Sequence, residues 1–167
     1  MKKLYHYCPR NNSVAREGIY SVSRAGDEVL KKYYKRAESE IREDVLQWLE
    51  KSFAGRSRAI SCLTEKVVWE NNDPMLRDLV AGDSLFSFDL DELIHDGLVE
   101  AIYCKDGSGP NGENEILKKV SSEEIDFSPL PWHLCCKEKG LLFGVIRHYL
   151  LVMKNGFIPP RYLNEEL

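Results

Sequence analysis

The chain has 167 residues, of which 43% are hydrophobic and 30% are charged, and this composition is typical of a globular protein that builds its own core. We therefore predict a single domain over residues 1–167. The 27 acidic residues exceed the 23 basic ones and give a net charge of −4. That balance disfavours a general nucleic-acid coat protein, and it leaves nucleic acid possible only as the partner of a local basic patch.

Three further features bear on where the protein works. The N-terminus lacks the apolar core of a signal peptide. The longest apolar stretch, residues 141–153, is too short to cross a bilayer, so we expect no membrane partner. The five cysteines form no regular disulfide framework, and an odd number favours reduced thiols. Together these features predict a cytoplasmic protein.

In chain order, the first predicted element is a strand at residues 4–8. A short helix follows, which Asn11 or Asn12 would cap and Gly18 would end. A second strand is predicted at residues 19–23. Residues 27–53 contain neither Gly nor Pro, and their apolar residues recur every three or four positions. This spacing predicts one long amphipathic helix.

The predicted strands are separated by helices of very unequal length, and this order predicts an α+β fold rather than a regular βαβ winding. We expect Asp73 to cap a short helix that begins at Pro74. We also expect a short helix over residues 89–95 that ends at Gly97, and a C-terminal helix over residues 134–154. An extended tail follows that last helix. The predicted strands are residues 58–64, 84–88, 98–104 and 115–120, with a possible continuation at 125–127.

Two carboxylates alternate in the segment Gly112-Glu113-Asn114-Glu115-Ile116-Leu117. On a strand, Glu113 and Glu115 would project from the same face, about 6–7 Å apart. A carboxylate beside a sugar stabilises oxocarbenium character, and a second one can orient or deprotonate an acceptor nucleophile. The alternative is a pair of solvent-facing strand residues.

Other polar and aromatic residues suit the binding of a nucleotide. His6 in the first strand could bond a ribose hydroxyl, Tyr20 could stack on an aromatic ring, and Ser61 could contact the ligand. Arginines near the first helix, Arg24 among them, could hold a pyrophosphate or form an RNA surface. Each of these residues also has a purely structural alternative. His133, Cys135, Cys136 and His148 are metal-ligand types without metal-site spacing, so no metal site is predicted.

Three segments resemble parts of a known superfamily. Leu4-Tyr5-His6-Tyr7 with Glu17-Gly18-Ile19-Tyr20, and the later Gly112–Leu117 segment, are similar to the first and last strands of ADP-ribosyltransferase-like proteins, including RNA 2′-phosphotransferase. The resemblance implies a split β-sheet of the ADP-ribosyltransferase-like kind, with NAD as substrate. It also implies His6 on the NAD ribose and Ser61 or Tyr20 at the middle position. It also implies Glu115 as catalytic glutamate and Glu113 as its acceptor-orienting partner, with an unknown acceptor macromolecule.

The resemblance has departures and rivals. Relatives with paired glutamates usually carry Arg on the first strand, where this chain has His6, and the middle segment reads Ser61-Cys62-Leu63-Thr64. Residues 60–65, 86–89 and 101–103, together with Trp69, also resemble uncharacterised bacterial proteins, some linked to phage defence. The alternatives are a non-catalytic interaction module, such as an antitoxin or defence partner on the same fold, and an RNA 2′-phosphotransferase-like enzyme.

Overall fold

A computed structural model describes residues 1–9, 14–26, 41–66, 83–106, 116–129 and 147–166. This part of the chain contains both helices and antiparallel strands, which confirms the predicted α+β class. The helices are α1 (Val14–Glu17), α2 (Ile41–Glu50) and α3 (Leu90–His95). The strands are β1 (Lys3–Pro9), β2 (Ile19–Tyr20), β3 (Ala59–Cys62), β4 (Asp83–Asp89), β5 (Val99–Asp106), β6 (Ile116–Val120), β7 (His148–Met153), β8 (Phe157–Ile158) and β9 (Asn164–Glu166).

The strands are divided between two main sheets. One has three strands in the order β1-β4-β9, and the other has four in the order β3-β7-β5-β6. A small ribbon of β2 and β8 lies apart from both. The two main sheets meet where Tyr5 of β1 forms a bridge with Leu63, just beyond β3, through two backbone hydrogen bonds of 2.8 Å.

The main core includes side chains from both sheets and from α3. Leu4 and Phe88 from the three-stranded sheet, Leu93 from α3 and Leu151 from β7 are all fully or almost fully buried. Helix α3 follows β4 directly because the Asp89 side chain accepts the backbone N–H of Asp91 at 3.0 Å and so caps the helix. Strand β1, strand β4, helix α3 and strand β5 thus match the predictions made from their local patterns.

The C-terminal helix predicted over residues 134–154 is wrong at its C-terminal end, where His148–Met153 forms the strand β7. Residues 149–153 are all buried because β7 lies inside the four-stranded sheet, between β3 and β5. A continuous apolar run is typical of such a strand, and by spacing alone it resembles a buried helix. The preceding residues 134–146 lie outside the described part of the chain.

Several other boundaries are corrected. The strand predicted at 19–23 is shorter, because β2 ends at Tyr20 and a 3-10 turn covers Val22–Arg24. Residues 125–127 form no strand, and the expected extended tail contains β8 and β9. Of the long helix predicted at 27–53, residues 41–50 are helical and 51–53 are not, whereas 27–40 lie outside the described residues. The helix predicted at Pro74 and the caps at Asn11 and Asn12 also lie outside them.

No helix within the described ranges has the length and apolar character needed to cross a membrane.

Candidate functional site

A cleft of about 290 Å³ opens beside the junction of the two main sheets. It forms because β1 and β3 are joined at the Tyr5–Leu63 bridge and no further bridge pairs them within the described ranges. Its walls come from β1, β2, α2, β3, β5, β7 and the turns after β2 and α2. The lining residues are His6, Tyr20, Ser21, Val22, Leu49, Arg56, Ala59, Ile60, Ser61, Lys105 and Leu150.

His6 links the two parted strands. Its Nδ1–H donates to the main-chain carbonyl of Ser61 at 2.5 Å, and because a carbonyl only accepts, this bond fixes the tautomer of the neutral ring. Ser61 lies two residues from Leu63, so its carbonyl points to the same side of β3 as the groups that bond Tyr5. The imidazole therefore makes the hydrogen bond to Ser61 that a backbone N–H of β1 would make if the pairing of β1 with β3 continued.

The protonation state of His6 follows from its surroundings. Burial lowers the pKa of the ring, and this effect outweighs the opposing effect of the Ser61 carbonyl, which favours the protonated form. The imidazole is therefore neutral at physiological pH. With Nδ1 committed to Ser61, Nε2 carries the lone pair and can accept a hydrogen bond from a hydroxyl group.

Tyr20 lies at the rim of the cleft, with 41% of its surface exposed. Its ring meets Phe157 of β8 edge to face, with centroids 5.9 Å apart. Arg24 stacks on the same pair, its guanidinium carbon 4.0 Å from the Phe157 centroid and 5.1 Å from that of Tyr20. Its Nη1 also donates to the carbonyl of Asn155 at 3.2 Å. Arg24 thus braces Tyr20 and the turn at Asn155, and it is not among the residues that line the cleft.

Two cations line the cleft on the side of the four-stranded sheet. Arg56 belongs to the 3-10 turn after α2, and Lys105 lies near the end of β5. Among the described lining residues, these two carry formal positive charge and none is a carboxylate. A cleft wall of one sign concentrates ions of the opposite sign, which here are anions.

The structure therefore brings together His6, Tyr20 and Ser61, which the sequence pattern singled out, and places Arg24 behind Tyr20. Glu113 and Glu115 lie outside the described residues. The described strand β6 begins at Ile116, next in sequence to Glu115, and its Leu117 pairs with the cleft residue Lys105.

Sequence reasoning missed Arg56 and Lys105. Neither stands in a motif, and they are 49 positions apart in the numbering. The cleft unites them only through the pairing of β3 with β7 and of β7 with β5. The one local signal is Gly55, which adopts φ +95 and turns the chain from α2 into the segment that carries Arg56.

Two other chemistries have less support. Cys62 is buried, its thiol donates to the Tyr149 carbonyl at 3.3 Å, and burial raises the thiol pKa, which opposes formation of a nucleophilic thiolate. Within the described ranges, no three His, Cys, Asp or Glu side chains group closely enough to hold a metal ion.

Comparisons with protein-family models, with curated proteins and with solved structures found no match for this chain.

Proposed function

We propose that the protein cleaves NAD at the nicotinamide–ribose bond and transfers ADP-ribose to an acceptor macromolecule or to water. The observation that carries the proposal is the cleft itself. It joins His6, Tyr20 and Ser61, which come from three separate strands or strand ends, at the place where two sheets part. Those are the residues to which the resemblance to ADP-ribosyltransferases assigns the binding of NAD.

The roles follow from the chemistry of each group. The neutral His6 accepts a hydroxyl of the nicotinamide ribose at Nε2, while Ser61 holds the ring in place through its carbonyl. Tyr20 offers an exposed ring face for stacking on nicotinamide. The cleft volume is close to the lower end of the range of small-molecule sites, about 300 Å³. That volume suits the nicotinamide riboside half of NAD.

Cleavage breaks the bond between C1′ of the ribose and the nicotinamide nitrogen, and nicotinamide leaves with the bonding electron pair. The sugar gains oxocarbenium character, which the carboxylate of Glu115 would stabilise. A nucleophile on the acceptor, or water, then bonds to C1′ and releases its proton, and Glu113 would orient that nucleophile. Leu117, two residues after Glu115, pairs with Lys105 of the cleft, which supports placing this segment near the reaction.

The first test is nicotinamide release from NAD by the wild-type protein and by two matched variants. Glu115→Gln should abolish release without altering the thermal unfolding of the protein. Glu113→Gln should retain NAD hydrolysis and lose transfer to a macromolecule. Unchanged release in Glu115→Gln would overturn the assignment of the catalytic glutamate.

A second measurement, thermal unfolding with NAD, addresses the alternatives when it is combined with the nicotinamide assay. Thermal unfolding with millimolar NAD reports binding, since a ligand at about 100 times its dissociation constant adds about 2.7 kcal/mol to the stability of the folded state. If NAD neither shifts the unfolding temperature nor releases nicotinamide, the result favours a non-catalytic interaction module. Consumption of NAD only together with a 2′-phosphorylated RNA would favour an RNA 2′-phosphotransferase-like enzyme. Reduced thiols fit the cytoplasmic location expected for either enzyme.

A further inference from the structure

We propose that Arg56 and Lys105 form a diphosphate-binding subsite in the cleft. The proposal rests on the proposed function, because it names the part of NAD that the two cations bind. It also makes a claim of its own. The cleft should select ligands with a diphosphate, and the cations that bind it should be these two rather than the arginines near the first helix.

Arg56 is held firmly at the edge of the cleft. Its Nη1 donates to Ser52 Oγ at 2.6 Å, and its guanidinium carbon lies 5.7 Å from the centroid of the Phe53 ring. Phe53 in turn stacks on Tyr103 of β5, with ring centroids 3.8 Å apart. This chain of contacts fixes the guanidinium against the sheet, and a cation positioned in advance binds an anion at a lower entropic cost.

Lys105 approaches from the sheet itself. It lies two residues after Tyr103 on β5, so the two side chains emerge from the same face. That face is also the one that Phe53 covers, because Phe53 stacks on Tyr103. Arg56 and Lys105 therefore reach the cleft from different elements over one face of the sheet.

Arg24, the arginine that the sequence suggested for a pyrophosphate, has a different position. Its guanidinium stacks on Phe157 and donates to the Asn155 carbonyl. It also contacts the ring of Tyr20, which lines the cleft, but Arg24 itself is not a lining residue. A guanidinium in that position supports the ring of Tyr20. The assignment of the diphosphate to Arg56 and Lys105 thus replaces the one that local sequence suggested.

The test is calorimetric binding of ADP-ribose and of adenosine to the wild type, Arg56→Gln and Lys105→Gln. Lys118→Gln is the matched control, since Lys118 pairs with Cys104 on β5 and faces away from the side of Lys105. We expect the two cleft variants each to weaken ADP-ribose binding by about tenfold or more, the effect of losing a charge-assisted hydrogen bond. Their affinity for adenosine should not change, and Lys118→Gln should bind like the wild type.

Thermal unfolding without ligand shows whether each variant is folded. If Arg56→Gln does not fold, the binding of ADP-ribose to Lys105→Gln tests the proposal. The proposal is overturned if the wild type does not bind ADP-ribose, or if neither cleft variant binds it more weakly than Lys118→Gln does. Failure of the proposed function is a separate result. Binding of ADP-ribose that depends on both cations, without nicotinamide release, would leave the subsite standing and refute NAD cleavage. Cleavage of NAD with an unchanged KM in both variants would support the proposed function and refute the diphosphate subsite.

Discussion

The bond between His6 and Ser61 has two separable consequences, one for stability and one for ligand binding. His6→Asn places an amide N–H near the position of Nδ1, so it can still donate to the Ser61 carbonyl, but it removes Nε2. His6→Gln places its amide near the position of Nε2 and loses the Nδ1–H donor. The two substitutions therefore separate the structural role of this histidine from its proposed role in binding the ribose.

The expected sizes follow from the contacts. The Ser61 carbonyl accepts Nδ1–H at 2.5 Å, where β1 and β3 have parted. Leaving a buried acceptor unpaired costs about 1–3 kcal/mol. The His6–Ser61 bond is exposed to the cleft, so we expect the loss in His6→Gln to be no more than about 1 kcal/mol. His6→Asn should retain most of the wild-type stability. Losing one hydrogen bond to a ribose hydroxyl should weaken NAD binding of His6→Asn two- to tenfold, about 0.5–1.5 kcal/mol.

Urea denaturation gives the free energy of unfolding of each variant, and calorimetry gives the dissociation constant for NAD. Equal destabilisation by Asn and Gln would refute the structural role of the bond to Ser61. Wild-type affinity in both variants would refute contact between His6 and the ligand.

The pH dependence of NAD binding gives a further check on the same histidine. Burial lowers the pKa of His6 below its usual 6.5, so the neutral ring predominates at pH 7. Protonation at lower pH fills the Nε2 lone pair, and wild-type NAD binding should weaken as the pH falls below 6.5. This part of the pH dependence should be missing in His6→Asn.

Two further predictions concern the frame that holds the site. Gly18→Ala should destabilise the protein by at least about 2 kcal/mol in urea denaturation, because Gly18 has φ +94 and an added Cβ would lie 2.2 Å from the Ile158 carbonyl oxygen. Gly26→Ala, whose Cβ would meet nothing within 4 Å, is the control, and equal losses in the two variants would contradict this reasoning. Glu166 accepts bonds from Lys3 at 2.7 Å, Lys66 at 2.9 Å and the Ser87 hydroxyl at 2.6 Å, which lower its pKa from 4.5 to about 2. Glu166→Gln should therefore cost about 1–2 kcal/mol at pH 7, after allowance for solvent screening of the half-exposed lysines. Because the carboxylate pKa is depressed in the folded state, its contribution is complete above about pH 4.5 and is lost as the pH falls towards 2. The difference between wild type and variant should shrink over that range, and a difference independent of pH would contradict the assignment.

Much of the fold could be predicted because its signals are local. Asp89 and Gly97 bracket α3 in the sequence, and the structure shows the Asp89 cap and φ +74 at Gly97. The strands β1, β4 and β5 also lie close to their predicted bounds. Strand β7 could not be predicted in this way, because a continuous apolar run buried inside a sheet has no period that separates it from a buried helix.

The candidate site also has features that local sequence predicts and features that only the tertiary structure shows. The sequence by itself determined that His6, Tyr20 and Ser61 lie on strands. Only the tertiary structure decided that Ser61 acts on His6 through its main-chain carbonyl, that Arg24 braces Tyr20, and that Arg56 and Lys105 share a cleft. The physical reason is that residue type and spacing set which local element forms. Which distant side chains meet depends on how the strands pair and where two sheets separate, and that is settled by burial of the whole core.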